Sequence, residues 1–319
     1  MPRIAILDDY QNVALELADW ASLGPDVEVQ AFNEFLQTDE DRLAKALAGF
    51  DIVVGMRERT PFPASLLKRL PALKLLITTG MRNLAFDMDA AKDLGITVSG
   101  TTSSGYAAAE HAWAIILGLA KRIAPEDADM RSGGWQSGLP IGLNGRRLGI
   151  IGLGKLGARA AMVAKAFEMD VVAWSQNLTD ERCAEVGGVK RVSLDELMST
   201  SDFVSIHLIL SERSRGLLGA RELGLMKPTA YLVNTSRGPI VEEAALIDTL
   251  VAKRIAGAGL DVYDVEPLPV NHPLRTLPNV LLSPHLGYVI EENYAEMYRQ
   301  SVENILAWSN GDPKRVLNA

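Results

Sequence analysis

Four short stretches of the chain hold residues whose types and spacing can do chemistry. The first is Gly152-Leu-Gly-Lys-Leu-Gly157, a G-x-G-x-x-G pattern. In such a pattern the first glycine makes a tight turn and the second lets a pyrophosphate reach the backbone. The third lets a helix pack closely on a strand. Amides at the start of the following helix then face the phosphates. The other three stretches each follow an apolar run: Asn234-Thr-Ser-Arg-Gly238, Asp261-Val-Tyr-Asp-Val-Glu-Pro267 and Ser283-Pro-His-Leu-Gly-Tyr288. Arg237, Glu266 and His285 thus stand just beyond strands, where open α/β sheets bind their ligands. Alone, such an arginine reads as a surface charge and such a histidine as a loop hydrogen bonder. Three of them at equivalent places read as a site.

The elements that must position these residues are legible as two series. Ile4–Leu7, Val27–Ala31, Ile52–Gly55, Leu75–Thr78 and Ile96–Ser99 read as strands, with amphipathic helices over Asp41–Ala48 and Ala64–Leu70. The second series of strands is Arg147–Ile151, Val171–Trp174, Phe203–Ile206, Ala230–Val233, Ala258–Asp261 and Val280–Leu282. Helical stretches at Leu156–Phe167, Ser193–Met198 and Glu242–Val251 separate some of them. Strand–helix alternation predicts parallel sheets with right-handed crossovers. Six strands is the count of a full dinucleotide-binding domain. The expected architecture is α/β with two domains, each a mainly parallel sheet with helices on both faces, the second a Rossmann domain. Between the series, residues 104–123 form a helix that is apolar almost all round, suited to a domain linker or a subunit interface. Pro125 marks its end or a break just beyond it. Arg131 to Gly145 is glycine-rich and irregular. Glu291–Trp308 is an amphipathic helix that could return to the first domain and make it discontinuous.

At the end of the second strand of a dinucleotide-binding domain, an acid bonds the ribose hydroxyls of NAD. Here Trp174 is followed by Ser175-Gln176-Asn177, the nearest acid, Asp170, opens the strand, and Arg182 lies several residues on. Ser175 and Gln176 can bond a hydroxyl or a 2′-phosphate, so NAD(H) and NADP(H) both stay open.

Composition narrows the partners. The chain has 319 residues, 48% apolar and 23% charged, with a net charge of −8. That suits two soluble domains and, with no basic tract, argues against nucleic acid or an anionic membrane as the main partner. A single cysteine, Cys183, excludes an internal disulfide, and four histidines without a Cys/His cluster argue against a metal site. No basic segment precedes an apolar one at the N-terminus, and no apolar stretch reaches the roughly 18 residues of a membrane helix. A cytoplasmic protein is expected.

The glycine fingerprint, the three strand-end segments and Ala108-Ala-Glu-His-Ala112 stand in an order and spacing that resembles the D-isomer-specific 2-hydroxyacid dehydrogenase family over nearly the whole chain. The closest branches in pattern are the glyoxylate/hydroxypyruvate reductases and the phosphoglycerate dehydrogenases. The resemblance implies a discontinuous substrate domain, 1–99 and 288–319, a dinucleotide-binding domain, 100–287, and an active site in the cleft between them. It implies that Arg237 grips a substrate carboxylate, which suits a planar, permanently charged fork. It makes His285 the general acid/base for the C2 oxygen and Glu266 the partner that orients and tunes the imidazole. Cofactor contacts are implied at Gly152, Gly154, Lys155, Leu156, Gly157, Ser175, Gln176, His207, Leu208, Thr235, Ser236, Asp261 and Gly287, with Asp261 meeting the nicotinamide carboxamide. Substrate contacts are implied at Thr79, Gly80 and Met81, and Arg57 is a further candidate. His111 and His272 have no role in the pattern and read as structural. Two departures stand out: Arg82 where the family often has Asp, and Ile209 where it usually has Pro.

The activity so implied is hydride transfer between NAD(P) and C2 of a small D-2-hydroxy or 2-oxo acid, in a homodimer formed around residues 104–123. Glu266 in place of Gln argues against formate as substrate. Ala319 ends the chain without the regulatory domain of longer phosphoglycerate dehydrogenases. Two other readings use the same triad: a phosphite-type dehydrogenase, and an NAD(H)-sensing protein like the C-terminal-binding corepressors, with little turnover.

Overall fold

The computed structural model describes residues 2–36 and 39–319. They form two compact units, Met1–Ser104 with Ile290–Ala319, and Gly105–Val289.

The first unit is a five-stranded sheet of β1 (Arg3–Ile6), β2 (Glu28–Ala31), β3 (Ile52–Gly55), β4 (Leu75–Thr78) and β5 (Thr97–Gly100), all parallel, in the order β2-β1-β3-β4-β5. Three short helices, α1 (Glu40–Leu47), α2 (Ala64–Leu67) and α3 (Met88–Asp93), connect them. β3 and β4 are buried along their whole length, as expected of parallel strands covered on both faces. Ala5, Leu7, Val53, Leu76 and Val98 share one core with Leu43, Leu47, Leu66 and Ala91 of the helices. The free side of β5 is covered by the chain's last residues: Val316 pairs antiparallel with Ser99, and Leu317 N–H donates to Val98 O at 2.8 Å. An edge so covered cannot recruit a foreign strand.

The second unit opens with α4 (Ala107–Ala120) and α5 (Ile123–Arg131). The chain breaks at Arg122, which takes a left-handed backbone (φ 55°), and Pro125 lies within the first turn of α5, where it needs no donor. α4 packs on the sheet, and exposed apolar residues follow it: Ile123, Met130, Trp135 and Leu139. The sheet contains β6 (Arg147–Ile151), β7 (Asp170–Trp174), β8 (Lys190–Arg191), β9 (Phe203–Ile206), β10 (Tyr231–Asn234), β11 (Gly257–Leu260) and β12 (Val280–Leu282). Its helices are α6 (Lys155–Ala166), α7 (Asp180–Glu185), α8 (Leu194–Thr200), α9 (Ala220–Leu225) and α10 (Glu243–Val251).

The order is β12-β11-β10-β9-β6-β7-β8, all parallel, with the connection reversing between β6 and β9. This is the doubly wound dinucleotide-binding arrangement with one strand more than expected. The extra strand, β8, is two exposed residues long, too short for any periodicity. Along each strand successive residues enter opposite cores. Leu148, Ile150, Val171 and Ala173 pack with α4 and α6, while Ile151, Val172, Val204 and Ile206 pack on the opposite face with α8 to α10. The last helix, α11 (Glu291–Ser309), belongs to the first unit, where it lies against β4.

Candidate active site

At the point where strand order reverses, the loops after β6 and β9 touch. Gly152 has φ 101°, and a Cβ there would lie 2.6 Å from His207 O. A Cβ on Gly157 would lie 2.1 Å from Gly152 O. No other residue fits either place. Gly154 differs: nothing lies within 4 Å of where its Cβ would be, and it leaves the first turn of α6 without a side-chain cap. An open space against uncapped helix amides suits a pyrophosphate. Arg182 holds the same loop from behind, its Nε donating to Leu153 O at 3.1 Å and its Nη2 to Gly154 O at 3.4 Å. Next to it, the end of β7 borders a hollow of about 500 Å³ whose polar lining includes Ser175, Gln176, Asp180, Arg191, Ser193 and Glu196. The residues of this edge fit a dinucleotide.

His207 follows β9, its N–H bonded to Ile151 O at 2.8 Å and its Nε2 3.0 Å from Ser205 Oγ. Burial pushes its imidazole down to about 4, so it is neutral at ordinary pH. Leu208 continues the loop, and Ile209, at the place usual for Pro, is exposed.

After β10 the Asn234 side chain fixes the turn from both ends. Its Oδ1 accepts from Ser236 N and its Nδ2 donates to Arg237 O, each at 3.0 Å. Ser236 Oγ donates to Ile206 O at 2.7 Å, and Arg237 Nη1 donates to Ser236 O at 2.8 Å. Gly238 then passes so near Tyr263 that a Cβ would lie 2.2 Å from its carbonyl carbon.

The loops after β11 and β12 meet at Glu266 and His285. Glu266 Oε1 accepts from Tyr263 N at 2.9 Å, while Oε2 lies 2.5 Å from His285 Nδ1. A carboxylate on Nδ1 fixes the ring and leaves Nε2 as the nitrogen for a substrate. His285 has φ 56°, a left-handed backbone rare for a side-chain-bearing residue.

Asp261 is wholly buried. Its Oδ1 accepts from Leu286 N at 2.7 Å and Ser283 Oγ at 2.6 Å, and its Oδ2 accepts from Gly287 N at 2.8 Å. His111 Nε2 lies 3.0 Å from the same Oδ1. Burial works to raise the Asp261 carboxyl, but the hydrogen bonds from His111, Ser283 and Leu286 outweigh it and hold it below the usual range. Sequence reasoning missed this cluster because a histidine on an all-apolar helix carries no visible partner. Gly287 is fixed by the same carboxylate.

In the first unit, Arg57 follows β3 in a left-handed conformation (φ 54°). Its N–H donates to Thr79 Oγ1 at 2.9 Å and its Nη1 to Thr79 O at 3.3 Å. Asn83 ties the two loops, donating to Arg57 O at 2.6 Å and Thr78 Oγ1 at 2.9 Å. A Cβ on Gly80 would lie 2.8 Å from Arg57 Nη1, so Arg57, Thr79 and Gly80 share one place. Met81 and Arg82 turn outward and are exposed.

The profile of the D-isomer specific 2-hydroxyacid dehydrogenase NAD-binding domain matches residues 113–287. The chain belongs to that family. Along its whole length, this 2-hydroxyacid dehydrogenase is similar to a glyoxylate reductase of Aeropyrum pernix, 35% identical over 99% of this chain and 96% of that one. A phosphoglycerate oxidoreductase from Vibrio cholerae has the same fold at a TM-score of 0.92, 36% identical over 98% of this chain and 100% of that one. An acyclic imino acid reductase in complex with NADPH and D-Arg aligns at a TM-score of 0.72, 27% identical over 99% of each chain. The dehydrogenase is thus an oxidoreductase that works with a nicotinamide dinucleotide. Among its described residues, no helix is long and apolar enough to cross a membrane, and no group of three or more His, Cys, Asp or Glu is placed to hold a metal ion.

Proposed function

We propose that this dehydrogenase reduces small 2-oxo acids of the glyoxylate and hydroxypyruvate class to D-2-hydroxy acids, reversibly. The observation that carries the reading is the 2.5 Å contact of Glu266 with His285 Nδ1, which leaves Nε2 to exchange a proton with substrate. The nicotinamide, when bound, supplies or takes the hydride. Arg237 grips the substrate carboxylate through its planar fork and draws electron density from the neighbouring carbonyl. His285 donates its Nε2 proton to the carbonyl oxygen and takes one back in the oxidative direction. Glu266 steadies the imidazolium that precedes each donation. Arg57, Thr79, Gly80 and Met81 contribute substrate contacts.

The dinucleotide is held by Gly152, Gly154, Lys155, Leu156 and Gly157 at its phosphates. Ser175 and Gln176 take the adenosine ribose, and His207, Leu208, Thr235, Ser236, Asp261 and Gly287 complete the site. No carboxylate directly follows β7, but Asp180 and Glu196 line the same hollow as Arg191, whose Nη1 lies 3.5 Å from Asp180 Oδ1. Arg191 can meet a 2′-phosphate and the two acids can meet ribose hydroxyls, so both NADH and NADPH are to be assayed. The exposed apolar residues Ile123, Met130, Trp135 and Leu139 support a homodimer, to be checked by sedimentation.

Initial rates at 340 nm with NADH and NADPH, against glyoxylate, hydroxypyruvate, pyruvate and longer 2-oxo acids, test the proposal. Consumption with the two short substrates supports it. Tight dinucleotide binding without consumption of any of them overturns it.

A further inference from the structure

Two glycines let α4 settle on the carboxyl end of the second sheet. A Cβ on Gly259 in β11 would lie 2.1 Å from Ile115 Cγ2, and one on Gly118 would lie 2.8 Å from Leu281 Cδ2. Residues four apart share a helix face and residues two apart share a strand face. The close approach of Ile115 to Gly259 therefore brings His111, one turn earlier, over Asp261, two residues later. His111 Nε2 then lies 2.8 Å from Ser283 Oγ and 3.0 Å from Asp261 Oδ1.

Hydrogen counting orders the cluster. Asp261 is acceptor-only when ionised, Ser283 has one proton, and a neutral imidazole has one N–H. Ser283 gives its proton to Asp261 Oδ1 at 2.6 Å, so the His111 Nε2–H serves Ser283 Oγ and Asp261. The two Asp261 oxygens are then left to receive Leu286 N–H and Gly287 N–H, the two amides that follow His285. Those bonds hold the chain just past a left-handed residue, where an unaided backbone would relax.

We propose that His111, Ser283 and Asp261 form a positioning network that sets the backbone of His285, and with it the contact of its Nδ1 with Glu266. Asp261 acts on His285 through this loop. The network rests on the reading of His285 as the proton donor, and the test separates the two.

The variants are His111→Leu, which removes the donor, His111→Gln, whose amide nitrogen reaches the place of Nε2, and Ser283→Ala. Each is made in the full chain and checked for folding by thermal unfolding. With NADPH and glyoxylate, His111→Leu is expected to lower kcat by roughly ten- to a hundredfold, the scale of a sub-ångström misplacement at a reacting group. KM for glyoxylate and Kd for NADPH should stay within about threefold, the split of a lost transition-state contact. His111→Gln should recover most of kcat, and Ser283→Ala should cost less than His111→Leu because His111 still reaches Asp261. A second readout needs no turnover. With 15N-labelled histidine, the His285 Nδ1 signal of the free protein should lose its carboxylate-bonded shift in His111→Leu and keep it in His111→Gln. An unchanged kcat and an unchanged His285 signal in folded His111→Leu overturn the network. So does a glutamine variant as impaired as the leucine one, which would make the role one of ring packing. If His285→Gln itself turns over normally while the signal still depends on His111, the network stands and the assignment of the proton donor falls.

Discussion

The two units hold polar residues at the same place, the carboxyl ends of parallel strands, but by different means. In the second unit the loops touch through missing side chains. Gly152 meets His207, Gly157 meets Gly152, and Gly238 meets Tyr263, each so closely that no Cβ fits. In the first unit one such contact occurs, Gly100 against Gly80 O, and the loops are further tied by side chains: Asn83 bridges Arg57 and Thr78, and Asp9 caps Val13 and Ala14. The neighbour that would crowd a Cβ on Gly80 is the end of a flexible arginine. Backbone against backbone has no slack, whereas side chains can shift by an ångström. The difference teaches where the dehydrogenase has slack: the dinucleotide edge is fixed main chain against main chain, while the hold on Arg57 is by side chains.

That contrast can be broken by experiment. The largest effect is expected at the meeting of the β11 and β12 loops. His285→Gln should lower kcat by roughly a thousandfold, within the range of general acid catalysis, while NADPH binding by fluorescence titration is unchanged. Loss of both would show that the loop, and not the proton, was removed. Next comes Gly152→Ala, which forces a Cβ against His207 O at φ 101°. It should cost at least about 2 kcal/mol in urea unfolding and abolish dinucleotide binding. A variant that binds NADPH normally would end the claim of rigidity.

Acid should also separate the units. All four histidines, His111, His207, His272 and His285, fall in the second unit. The unfolded chain protonates His207 near pH 6.5 and the folded chain only near 4, so between those values the unfolded state binds more protons and stability falls as pH falls. Through this residue, moving from pH 7 to pH 4 should cost up to roughly 3 kcal/mol. Asp261, held low, adds a loss in the same direction as pH falls through its folded value. Asp8 of the first unit runs the other way, because burial raises its carboxyl and the folded state then takes up a proton more readily. Hydrogen exchange at pH 4.5 should show the second unit opening first, and His207→Asn should flatten its pH slope. The smallest effect belongs to Gly80→Ala. It should raise KM for glyoxylate by about tenfold, around 1.4 kcal/mol, and leave the unfolding midpoint nearly unmoved. A fall in stability equal to that of Gly152→Ala would erase the distinction between the units.

The same contrast governs what could be read from the sequence. The glycine loop was legible because phosphate approach and close packing admit one residue type at fixed spacing. The central strands were legible because both faces are covered there, which makes them continuous apolar runs. Arg57 and Asn83 left no such signature, since side-chain hydrogen bonds form at many spacings. The break at Arg122 was misplaced toward Pro125 because a left-handed arginine leaves no mark in composition. β8 was missed for its length. His111 was read as structural because its partners, Asp261 and Ser283, lie 150 and 172 residues away.

The discontinuity of the first unit has a consequence for how the chain is made. Residues 105–289 are contiguous and can fold as soon as they leave the ribosome, as domains generally do. The five strands made before them must wait, with β5 unpaired on one side, until α11 and the residues around Val316 arrive. For the seconds this takes, the nascent dehydrogenase carries a finished cofactor unit and an exposed, unfinished sheet. That interval is when a chaperone would engage it.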